Sequence, residues 1–325
     1  MSSNKPFRFG VQAFKPTSGK DWVDTAKKAE DLGYSALHVA DHYFGEGPAM
    51  TAASHPEQTI ACIPAMAAAA VVTDSIMIGS RVLCVDYHHP MVLMKSLASI
   101  DMLSDGRLEA GFGAGWITTE YEAMGIPMER AGVRIRKMTE YVEFAREFFA
   151  GADLDMDGEF VKIHDTKAVP AAVQQGGPKI MIGGGAPKVL GIAGSHADIV
   201  SINFDNSAGK IGAKGVGSGT AEGTADKVQW IRDGAGDRFD DLELEIAAYF
   251  TTVTDETEKT TAAMAGAFGM EPETMAAHPH ALIGSVDEIA EKLEARRTEF
   301  GISYVTVGDT AIDDFAPVVA ALSGK

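Results

Sequence analysis

An aspartate and a histidine stand side by side where an apolar run of the chain ends. Asp41 closes the predicted strand 36–41, and His42 follows it directly. An imidazole exchanges protons near neutral pH, and a neighbouring carboxylate can orient the ring. The pair therefore predicts a proton donor or acceptor at this strand end. The same two residues would also suit a strand cap in which His42 bonds to a neighbouring carbonyl.

Glycines that alternate with small and aromatic residues lie at the end of a later predicted strand, 108–113. Gly113, Ala114 and Gly115 would let the backbone approach a planar ligand closely, and Trp116 would offer a stacking face. These residues predict a wall for a ring-shaped ligand. A barrel strand packed with small inward residues would show the same alternation.

Three consecutive glycines give the strongest local signal. Gly183, Gly184 and Gly185 lie at the end of the predicted strand 179–183 and, with Ala186, precede a helix predicted to begin near Pro187. A glycine-rich turn that opens a helix presents free amide hydrogens at the positive end of the helix dipole, which suits a phosphate. The alternative is a tight turn that needs glycine for a positive φ.

Short apolar runs alternate with longer helical segments along the chain, which is typical of βα units around a parallel sheet. A helix over 21–32 ends before Gly33, and Ser285 with Glu288 forms a capping box for a helix that ends at Gly301. No GxGxxG follows the first strand, so a Rossmann sheet is disfavoured. We therefore predict a (β/α)8 TIM barrel, with one domain over 1–325. The eight predicted strands are 7–12, 36–41, 75–83, 108–113, 179–183, 199–204, 242–250 and 303–308.

Two segments interrupt the regular pattern. Residues 151–178 contain acidic, proline and glycine positions and are predicted to be an insertion with a short hairpin. Residues 205–224 are rich in glycine and serine and have almost no bulky apolar side chains, so we expect a mobile loop. If this loop follows the sixth strand, it lies on the face where barrel active sites form and could close over a ligand. A disordered surface insertion is the alternative.

The composition excludes several classes of partner. Lys and Arg number 28 against 46 Asp and Glu, so the formal net charge is −18 at pH 7. Nucleic-acid binding depends on clustered cations, and a surface this acidic also disfavours anionic membranes. The first ten residues show no charged leader before an apolar segment, and no run is long enough to span a bilayer. We therefore expect a cytoplasmic protein that binds neither nucleic acid nor membrane.

The cysteines and histidines predict no metal site. Cys62 and Cys84 have no CxxC spacing and are expected to fill the core. His88 and His89 are adjacent, so in extended chain their side chains point to opposite faces and cannot share a metal ion. No HExxH or comparable ligand spacing occurs elsewhere in the sequence.

Taken together, five motifs resemble the luciferase-like superfamily of flavin and deazaflavin oxidoreductases, and within it the actinobacterial F420-dependent oxidoreductases. The likeness runs from Phe7 to about Asn203 and resumes at 284–293, whereas 205–224 and 251–281 add nothing to it. The motifs are Asp41-His42, GSRVL at 79–83, GRLEAGFGAGW at 106–116, EYEAMGIP at 120–127 and GGGAPKVLGIAGSHADIV at 183–200.

The resemblance implies an enzyme that transfers hydride between coenzyme F420 and a small organic substrate. It implies that His42 lies near the reactive carbon as proton donor or acceptor and that Asp41 lines the same pocket. It also implies a non-prolyl cis peptide behind the ring at Arg81–Val82, with Ser80–Arg81 as the alternative register. The segment Gly113, Ala114 and Gly115 would pass along the cofactor, and Gly183, Gly184, Gly185 and Ala186 would hold its phosphate.

The sequence departs from the F420-dependent sugar-phosphate dehydrogenases that it resembles. They have a glutamate where this chain has Trp116, and a tryptophan near the position of Glu46. Oxidation of a sugar phosphate is therefore disfavoured, and Trp116 suits a flatter, more apolar substrate. Lys210 and Lys214 lie where relatives often keep a substrate-side loop and could meet an anionic group.

The choice of cofactor remains between F420 and FMN. A deazaflavin passes hydride and reacts poorly with oxygen, whereas FMN in the same pocket would support a monooxygenase. We favour F420 because GAGW followed by EYEAMGIP resembles the mycobacterial deazaflavin branch. Its anionic tail would then need a local basic patch on an acidic surface. The resemblance also implies a homodimer, and a non-catalytic ligand-binding barrel is the alternative of another class.

Overall fold

A closed barrel of parallel strands forms the centre of the molecule in the computed structural model, which describes residues 5–325. The strands are β1 (Arg8–Ala13), β2 (Ala36–Val39), β3 (Met77–Ser80), β4 (Leu83–Cys84), β5 (Leu108–Gly113), β6 (Asp153–Asp157), β7 (Lys162–Lys167), β8 (Lys179–Gly184), β9 (Ile199–Ile202), β10 (Glu243–Ala248), β11 (Phe250–Val253), β12 (Ala281–Gly284) and β13 (Ile302–Gly308).

Eight strand positions close the barrel. The order is β3, β2, β1, β13, β10, β9, β8 and β5, and β5 pairs back with both β3 and β4. Because β3 and β4 are two parts of one position, the predicted (β/α)8 barrel is confirmed. The predicted strand 75–83 is interrupted after Ser80, where the chain contains a cis peptide at Arg81–Val82. This confirms the first of the two registers predicted for that bond.

Helices surround the barrel and bury apolar faces against it, as parallel sheets covered on both sides require. They are α1 (Gly19–Asp31), α2 (Pro48–Ala53), α3 (Cys62–Ala70), α4 (Pro90–Leu103), α5 (Thr118–Met124), α6 (Ala131–Phe149), α7 (Pro187–His196), α8 (Ala213–Gly217), α9 (Ala221–Ala235), α10 (Thr257–Phe268), α11 (Pro272–Ala277), α12 (Val286–Phe300) and α13 (Ala316–Leu322). Three short 3₁₀ helices cover Val85–Tyr87, Gly236–Asp241 and Asp309–Ala311.

Capping residues and glycines determine where helices α1 and α12 begin and end. The side chain of Ser285 accepts a hydrogen bond from the amide of Glu288 and the reciprocal contact is present, so the capping box of α12 is confirmed. The helix ends at Gly301, whose φ is 75°. Ser18 caps α1, which therefore begins two residues before the predicted position.

The two insertions both contain regular structure. Strands β6 and β7 pair antiparallel, which confirms the hairpin predicted in 151–178. Residues 205–224 include α8, because Val216 is fully buried beside Phe204 and Phe250 and anchors the segment. Because this segment contains so few bulky apolar residues, its sequence did not indicate that Val216 would be buried. Its mobility stays a prediction.

A second small sheet, which the sequence analysis missed, lies beside the barrel. The predicted strand 242–250 ends at Ala248, and β11 then pairs in parallel with β12 outside the barrel. Two helices, α10 and α11, connect these strands. The apolar run continues through the break, so hydrophobic pattern alone could not divide it. No helix among residues 5–325 is long and apolar enough to cross a membrane.

Candidate functional site

A cavity of about 1220 Å³ opens where the barrel strands end. Its wall includes residues that follow β2, β4, β5, β8, β9, β10 and β13, so it lies on the carboxyl-end face of the barrel. The structure brings to this cavity all the predicted catalytic and cofactor-binding residues, together with Trp116. They are Asp41, His42, Arg81, Val82, Gly113, Ala114, Gly115, Trp116, Gly183, Gly184, Gly185 and Ala186.

His42 is held by a buried glutamate that the sequence analysis did not assign to the site. The Nδ1 atom of His42 lies 2.7 Å from Oε2 of Glu120, whose side chain is fully buried. The amide of Tyr43 and the hydroxyl of Tyr87 donate to the same carboxylate at 2.9 and 3.0 Å. Burial alone would raise the pKa of Glu120, but the bond and charge of His42 and these two donors outweigh it and lower that pKa.

This arrangement orients the His42 ring and leaves one nitrogen for chemistry. Among the residues that the structure describes, no protein atom bonds to Nε2 of His42, and the side chain lines the cavity. The ring can therefore offer Nε2 to a ligand while Glu120 fixes Nδ1. Glu120 belongs to the EYEAMGIP motif, but it lies 78 residues from His42 in the chain, so spacing gave no sign of the pair.

The carboxylate of Asp41 bonds to neighbouring segments of the chain and forms no hydrogen bond with the His42 ring. Its Oδ2 accepts the amide of Cys84 at 3.0 Å and lies 2.7 Å from Nε2 of His88. The carboxylate that orients His42 is thus Glu120 and not its sequence neighbour. His88, for which the sequence predicts a loop position and no metal role, packs against Asp41. No cluster of metal-ligating side chains occurs within 5–325.

An aromatic group lies next to His42. The ring centroid of His55 is 4.2 Å from that of His42, and the Trp116 ring is 5.6 Å from His55 and 6.2 Å from His42. Burial, and then the charge of His42, lower the pKa of His55 to about 3, so His55 stays neutral. No motif marked His55 in the sequence. Together the three rings form one wall of the cavity.

The glycines form a cradle that has no room for side chains. A Cβ atom on Gly113 would lie 2.6 Å from Cγ2 of Val82, and one on Gly185 would lie 2.0 Å from the carbonyl oxygen of Phe204. None of Gly183, Gly184 and Gly185 has a positive φ, so the alternative of a turn that needs glycine for that conformation is wrong. Close approach of neighbouring atoms is the reason for these glycines.

The helix that follows the cradle begins as predicted. Pro187 is at the first position of α7, and Ala186 provides no side-chain cap. The first amides of α7 therefore stay available at the positive end of the helix dipole. This is the chemistry of a phosphate site, and the cavity reaches it through Gly184, Gly185 and Ala186.

Arg81 contributes a buried cation with a spare donor. Its Nε atom donates to both oxygens of Glu245 at 3.1 Å, and Nη1 lies 3.3 Å from Oε1 of Gln12 and from the hydroxyl of Tyr249. Burial alone would lower the pKa of Arg81, but Glu245 and Tyr249 raise it, so the guanidinium stays charged. Nη2 is buried with no partner in the described chain. An acceptor on a bound ligand would satisfy it.

The segment after β9 crosses the mouth of the cavity. Asp205, Asn206, Ser207 and Ile211 line the cavity, and the amide of Ile211 donates to the carbonyl of Ala53 at 2.9 Å. The contact joins this segment to α2 on the far side of the opening. Lys210 and Lys214, the two predicted substrate-side lysines, are exposed and do not line the cavity. The structure therefore does not bring them to the site.

Comparison with known proteins identifies the family. The model of the luciferase-like monooxygenase family matches residues 4–304. An uncharacterized protein of Mycobacterium tuberculosis is 31% identical over 200 residues, which cover 58% of this chain and 66% of that protein. The F420-dependent glucose-6-phosphate dehydrogenase of Amycolatopsis mediterranei is 25% identical over 182 residues, or 54% of this chain and 52% of the dehydrogenase.

The fold matches over nearly the whole chain. The structure of the coenzyme F420-dependent tetrahydromethanopterin reductase from Methanopyrus kandleri superposes with a TM-score of 0.75 at 18% identity, covering 98% of this chain and 100% of the reductase. The sequence matches to the two curated relatives span about two thirds or less of each relative's length. The family model, in contrast, covers almost all of the barrel, and this chain belongs to the luciferase-like monooxygenase family.

Proposed function

We propose that this protein is an F420-dependent oxidoreductase that transfers hydride between coenzyme F420 and an organic substrate. The observation that carries the proposal is the His42–Glu120 pair at the edge of the glycine cradle, in one cavity of about 1220 Å³. A proton-exchanging group beside a planar binding wall is what hydride chemistry requires. The name of the Amycolatopsis relative supports F420 over FMN.

The residues present fit such a cofactor. Val82, Gly113 and Gly183 line the cavity without polar side chains, and the two glycines leave room for the Val82 side chain to pack closely against the backbone. Gly184, Gly185 and Ala186 would hold a phosphate through backbone amides at the start of α7. The unpartnered Nη2 of Arg81 would donate to an acceptor atom of the bound molecule.

His42 manages the proton that accompanies hydride transfer. When bound, F420 supplies a carbon centre that accepts or releases the hydride. His42 donates or removes the substrate proton through Nε2, while Glu120 fixes the orientation of the ring through Nδ1. His55, which stays neutral, packs against the His42 ring on the wall of the cavity.

The remaining wall of the cavity favours an apolar substrate. Trp116 and Ile211 lie near the mouth, and Phe204, Phe250 and Phe268 line the part of the cavity beside the second sheet. Aromatic and aliphatic side chains bind flat apolar groups by area and stacking. The substrate class is therefore a small, largely apolar alcohol or carbonyl compound, and not a sugar phosphate.

Cofactor titration tests the proposal. We expect micromolar protein to quench the fluorescence of oxidised F420 and to oxidise reduced F420 when cyclic enones are added. The variant His42→Ala should still bind F420 but lose at least about 100-fold in turnover, since general acid catalysis is worth that much. His164→Ala, which changes an exposed histidine of the β6–β7 hairpin, is the matched control.

Two results would contradict this function. Protein that binds FMN and consumes oxygen while ignoring F420 would instead support a monooxygenase of the same family. A cofactor-binding protein in which His42→Ala leaves every rate unchanged would point to a ligand-binding barrel without catalysis.

A further inference from the structure

A second wall of the cavity lies across the barrel from the glycine cradle. The barrel has eight strand positions, and β13 lies four positions from β5, while β1 lies four positions from β8. Gly113 ends β5 and Gly183 lies in β8, whereas Thr306 lies in β13 and Gln12 in β1. All four residues line the cavity. The wall at β1 and β13 therefore faces the cradle and is open to a substrate.

Two buried hydrogen-bond donors at this wall have no partner. Oγ1 of Thr306 and Nη2 of Arg81 form no hydrogen bond within residues 5–325, although Thr306 is only 1% exposed and Arg81 only 7%. Buried polar groups in folded proteins are nearly always bonded. Both side chains line the cavity, so a bound molecule can supply an acceptor to them.

The hydrogen bonds of Arg81 direct its guanidinium to the strands on both sides of Thr306. Its Nε donates to Glu245 on β10, and its Nη1 lies 3.3 Å from Oε1 of Gln12 on β1. Strand β13, which carries Thr306, pairs with β1 on one side and with β10 on the other. The guanidinium therefore spans the strand position of Thr306. Gln12, Arg81 and Thr306 together form a polar wall.

The polar wall suits an uncharged oxygen atom. The fully buried carboxylate of Glu245 bonds to Nε of Arg81 and neutralises its charge, but leaves Nη2 as a donor. A ligand carboxylate would meet no excess positive charge there, and burying an unpaired anion is unfavourable. A carbonyl oxygen has two lone pairs and can accept hydrogen bonds from two donors. The polar wall therefore fits a carbonyl group.

We propose, on the basis that the protein is an F420-dependent oxidoreductase, that its substrate is an α,β-unsaturated carbonyl compound whose oxygen is held by Arg81 and Thr306. In the described chain, His42 follows β2 and forms no hydrogen bond with either residue, so its Nε2 serves a different atom of the substrate. In a simple ketone the proton would go to the carbonyl oxygen itself. In a conjugated carbonyl compound the proton goes to a carbon atom, which leaves the oxygen to the polar wall.

The reaction is then the reduction of the carbon–carbon double bond. The β-carbon receives the hydride that reduced F420 supplies, and the electron pair of the double bond moves towards the carbonyl oxygen. Arg81 and Thr306 stabilise the negative charge that develops on this oxygen. His42 gives the proton on Nε2 to the α-carbon and is reprotonated from solvent. In sum, reduced F420 and the unsaturated compound give oxidised F420 and the saturated carbonyl compound.

Binding of cyclohexenone to protein loaded with oxidised F420 tests the assignment without turnover, since oxidised F420 supplies no hydride. The infrared stretch of an isotope-labelled carbonyl group reports hydrogen bonds to its oxygen. Thr306→Val removes the hydroxyl at nearly constant size, and Thr306→Ser keeps it. Ser303→Ala is the matched control, because Ser303 carries a buried hydroxyl on the same strand that has no partner within 5–325 and does not line the cavity.

We expect Thr306→Val to weaken cyclohexenone binding about 5- to 10-fold and to raise the carbonyl stretching frequency, because one hydrogen bond is lost. Thr306→Ser and Ser303→Ala should bind within about twofold of the wild-type protein. Arg81→Lys, which keeps the charge but loses the planar fork, should weaken binding at least as much as Thr306→Val. Cyclohexene, which has no oxygen, should bind alike to the wild-type protein and all the threonine variants.

The product and the cofactor affinity separate the alternatives. Wild-type protein with reduced F420 should convert cyclohexenone to cyclohexanone. Formation of the unsaturated alcohol, or a Thr306→Val protein with unchanged affinity and carbonyl stretch, would overturn the assignment. An equal loss of affinity for F420 and for cyclohexenone in Thr306→Val would assign the polar wall to the cofactor and would also overturn it. Failure of the wild-type protein to bind F420 would instead overturn the proposed function itself.

Discussion

Glu120 is the residue that holds the ring of His42, the proposed proton carrier, in place. Its carboxylate accepts hydrogen bonds from His42, Tyr43 and Tyr87, so both of its oxygens are bonded. The His42 ring is thereby held in one orientation. A carboxylate whose charge is stabilised by its hydrogen-bond donors can in turn stabilise a charged imidazole. Glu120 does not line the cavity, so its role is to position His42.

Replacing Glu120 by glutamine tests this role. Glu120→Gln keeps the size of the side chain but replaces a carboxylate that accepts three hydrogen bonds with a neutral amide, so the His42 ring is held less firmly. We expect kcat to fall about 10- to 100-fold while KM and the F420 dissociation constant change by less than about threefold. Glu120→Asp should recover part of the rate. Steady-state kinetics and fluorescence titration measure both quantities.

The neighbouring exposed Glu122 provides the control for that experiment. Glu122→Gln changes the same charge on α5 without touching His42, so its rate should match that of the wild-type protein. A Glu120→Gln protein with unchanged kcat would show that the pair is only structural.

Much of the site followed from residue type and strand position. Asp41-His42, the Gly113 segment and the Gly183 turn each follow a predictable strand, and parallel strands of a barrel end on one face. The partners of these residues could not be predicted, because they come from distant segments. Glu120 and His55 meet His42 only through the fold, and no spacing in the sequence records such a contact.

At the scale of elements, the glycine turn after β8 is set by the end of β9. The carbonyl oxygens of Phe204 and Asn203 would lie 2.0 and 2.6 Å from a Cβ on Gly185, so the two strand ends pack backbone against backbone. The amide of Asn203 also donates to the carbonyl of Gly184 at 2.8 Å. The conformation of the turn, and with it the proposed phosphate site, therefore depends on the contact between these two ends.

Adding one methyl group to this turn tests whether its conformation is needed for F420 binding. Gly185→Ala forces the turn away from Phe204, and we expect unfolding to become easier by about 1–3 kcal/mol and F420 affinity to fall at least about tenfold. Gly217→Ala is the control, since a Cβ there would meet nothing within 4 Å. Thermal unfolding and fluorescence titration should distinguish the variants. Wild-type affinity in Gly185→Ala would contradict a role for the turn in binding.

The elements that were not predicted share one cause. Strands β11 and β12 lie outside the barrel, and their pairing joins residues 250–253 with 281–284 across α10 and α11. From the sequence, the apolar residues of these strands are predicted to continue β10 or to form a helix. A hydrophobic pattern indicates that residues are buried, but it does not indicate the sheet to which a strand belongs. The end of β10 at Ala248 depends on the pairing of β11 with β12, which is a tertiary contact.

At the scale of the whole molecule, the amino end of the barrel is filled by a buried ionic group. Arg8 pairs with Glu109 and Glu243, and the Tyr304 hydroxyl donates to Glu109 and lies 3.1 Å from Nε2 of His38. Burial alone would raise the pKa of Glu109, but Arg8 and His38 lower it to about 2. These charges lie at the opposite end of the barrel from His42 and have a structural role.

This group should make stability depend on pH in a predictable way. Because the folded pKa of Glu109 lies below the value of 4.5 for an unperturbed glutamate, its ionised form stabilises the fold above that value. The contribution, about 3 kcal/mol, should be lost as pH falls from 4.5 towards 2. The difference in free energy of unfolding between the wild-type protein and Glu109→Gln should therefore shrink as the pH falls over this range. Denaturant unfolding at stepped pH measures it, and Glu291→Gln, which changes an exposed glutamate of α12 that forms no ion pair among the described residues, should not show the effect.

The outer face of α3 and α4 is the one broad apolar surface among the described helices that we expect to be covered in solution. Val71, Val92, Met102 and Leu103 are 59%, 66%, 51% and 48% exposed, and Lys95 is the only charged side chain on the outer stripe of α4. The hydroxyls of Ser96 and Ser99 on that stripe bond back to helix carbonyls. On a chain with a charge of −18, a face with few carboxylates minimises the repulsion between two copies.

A second copy of this chain is therefore the expected occupant, with the same face used on both sides. Val92→Glu/Met102→Glu places two carboxylates on the stripe, so each dimer would bury four like charges. We expect wild-type protein to sediment as a dimer and the double variant as a folded monomer with unchanged circular dichroism. Ala263→Glu, on the exposed side of α10, adds charge elsewhere and should remain dimeric. A monomeric wild-type protein, or a double variant that still dimerises, would exclude this face as the interface.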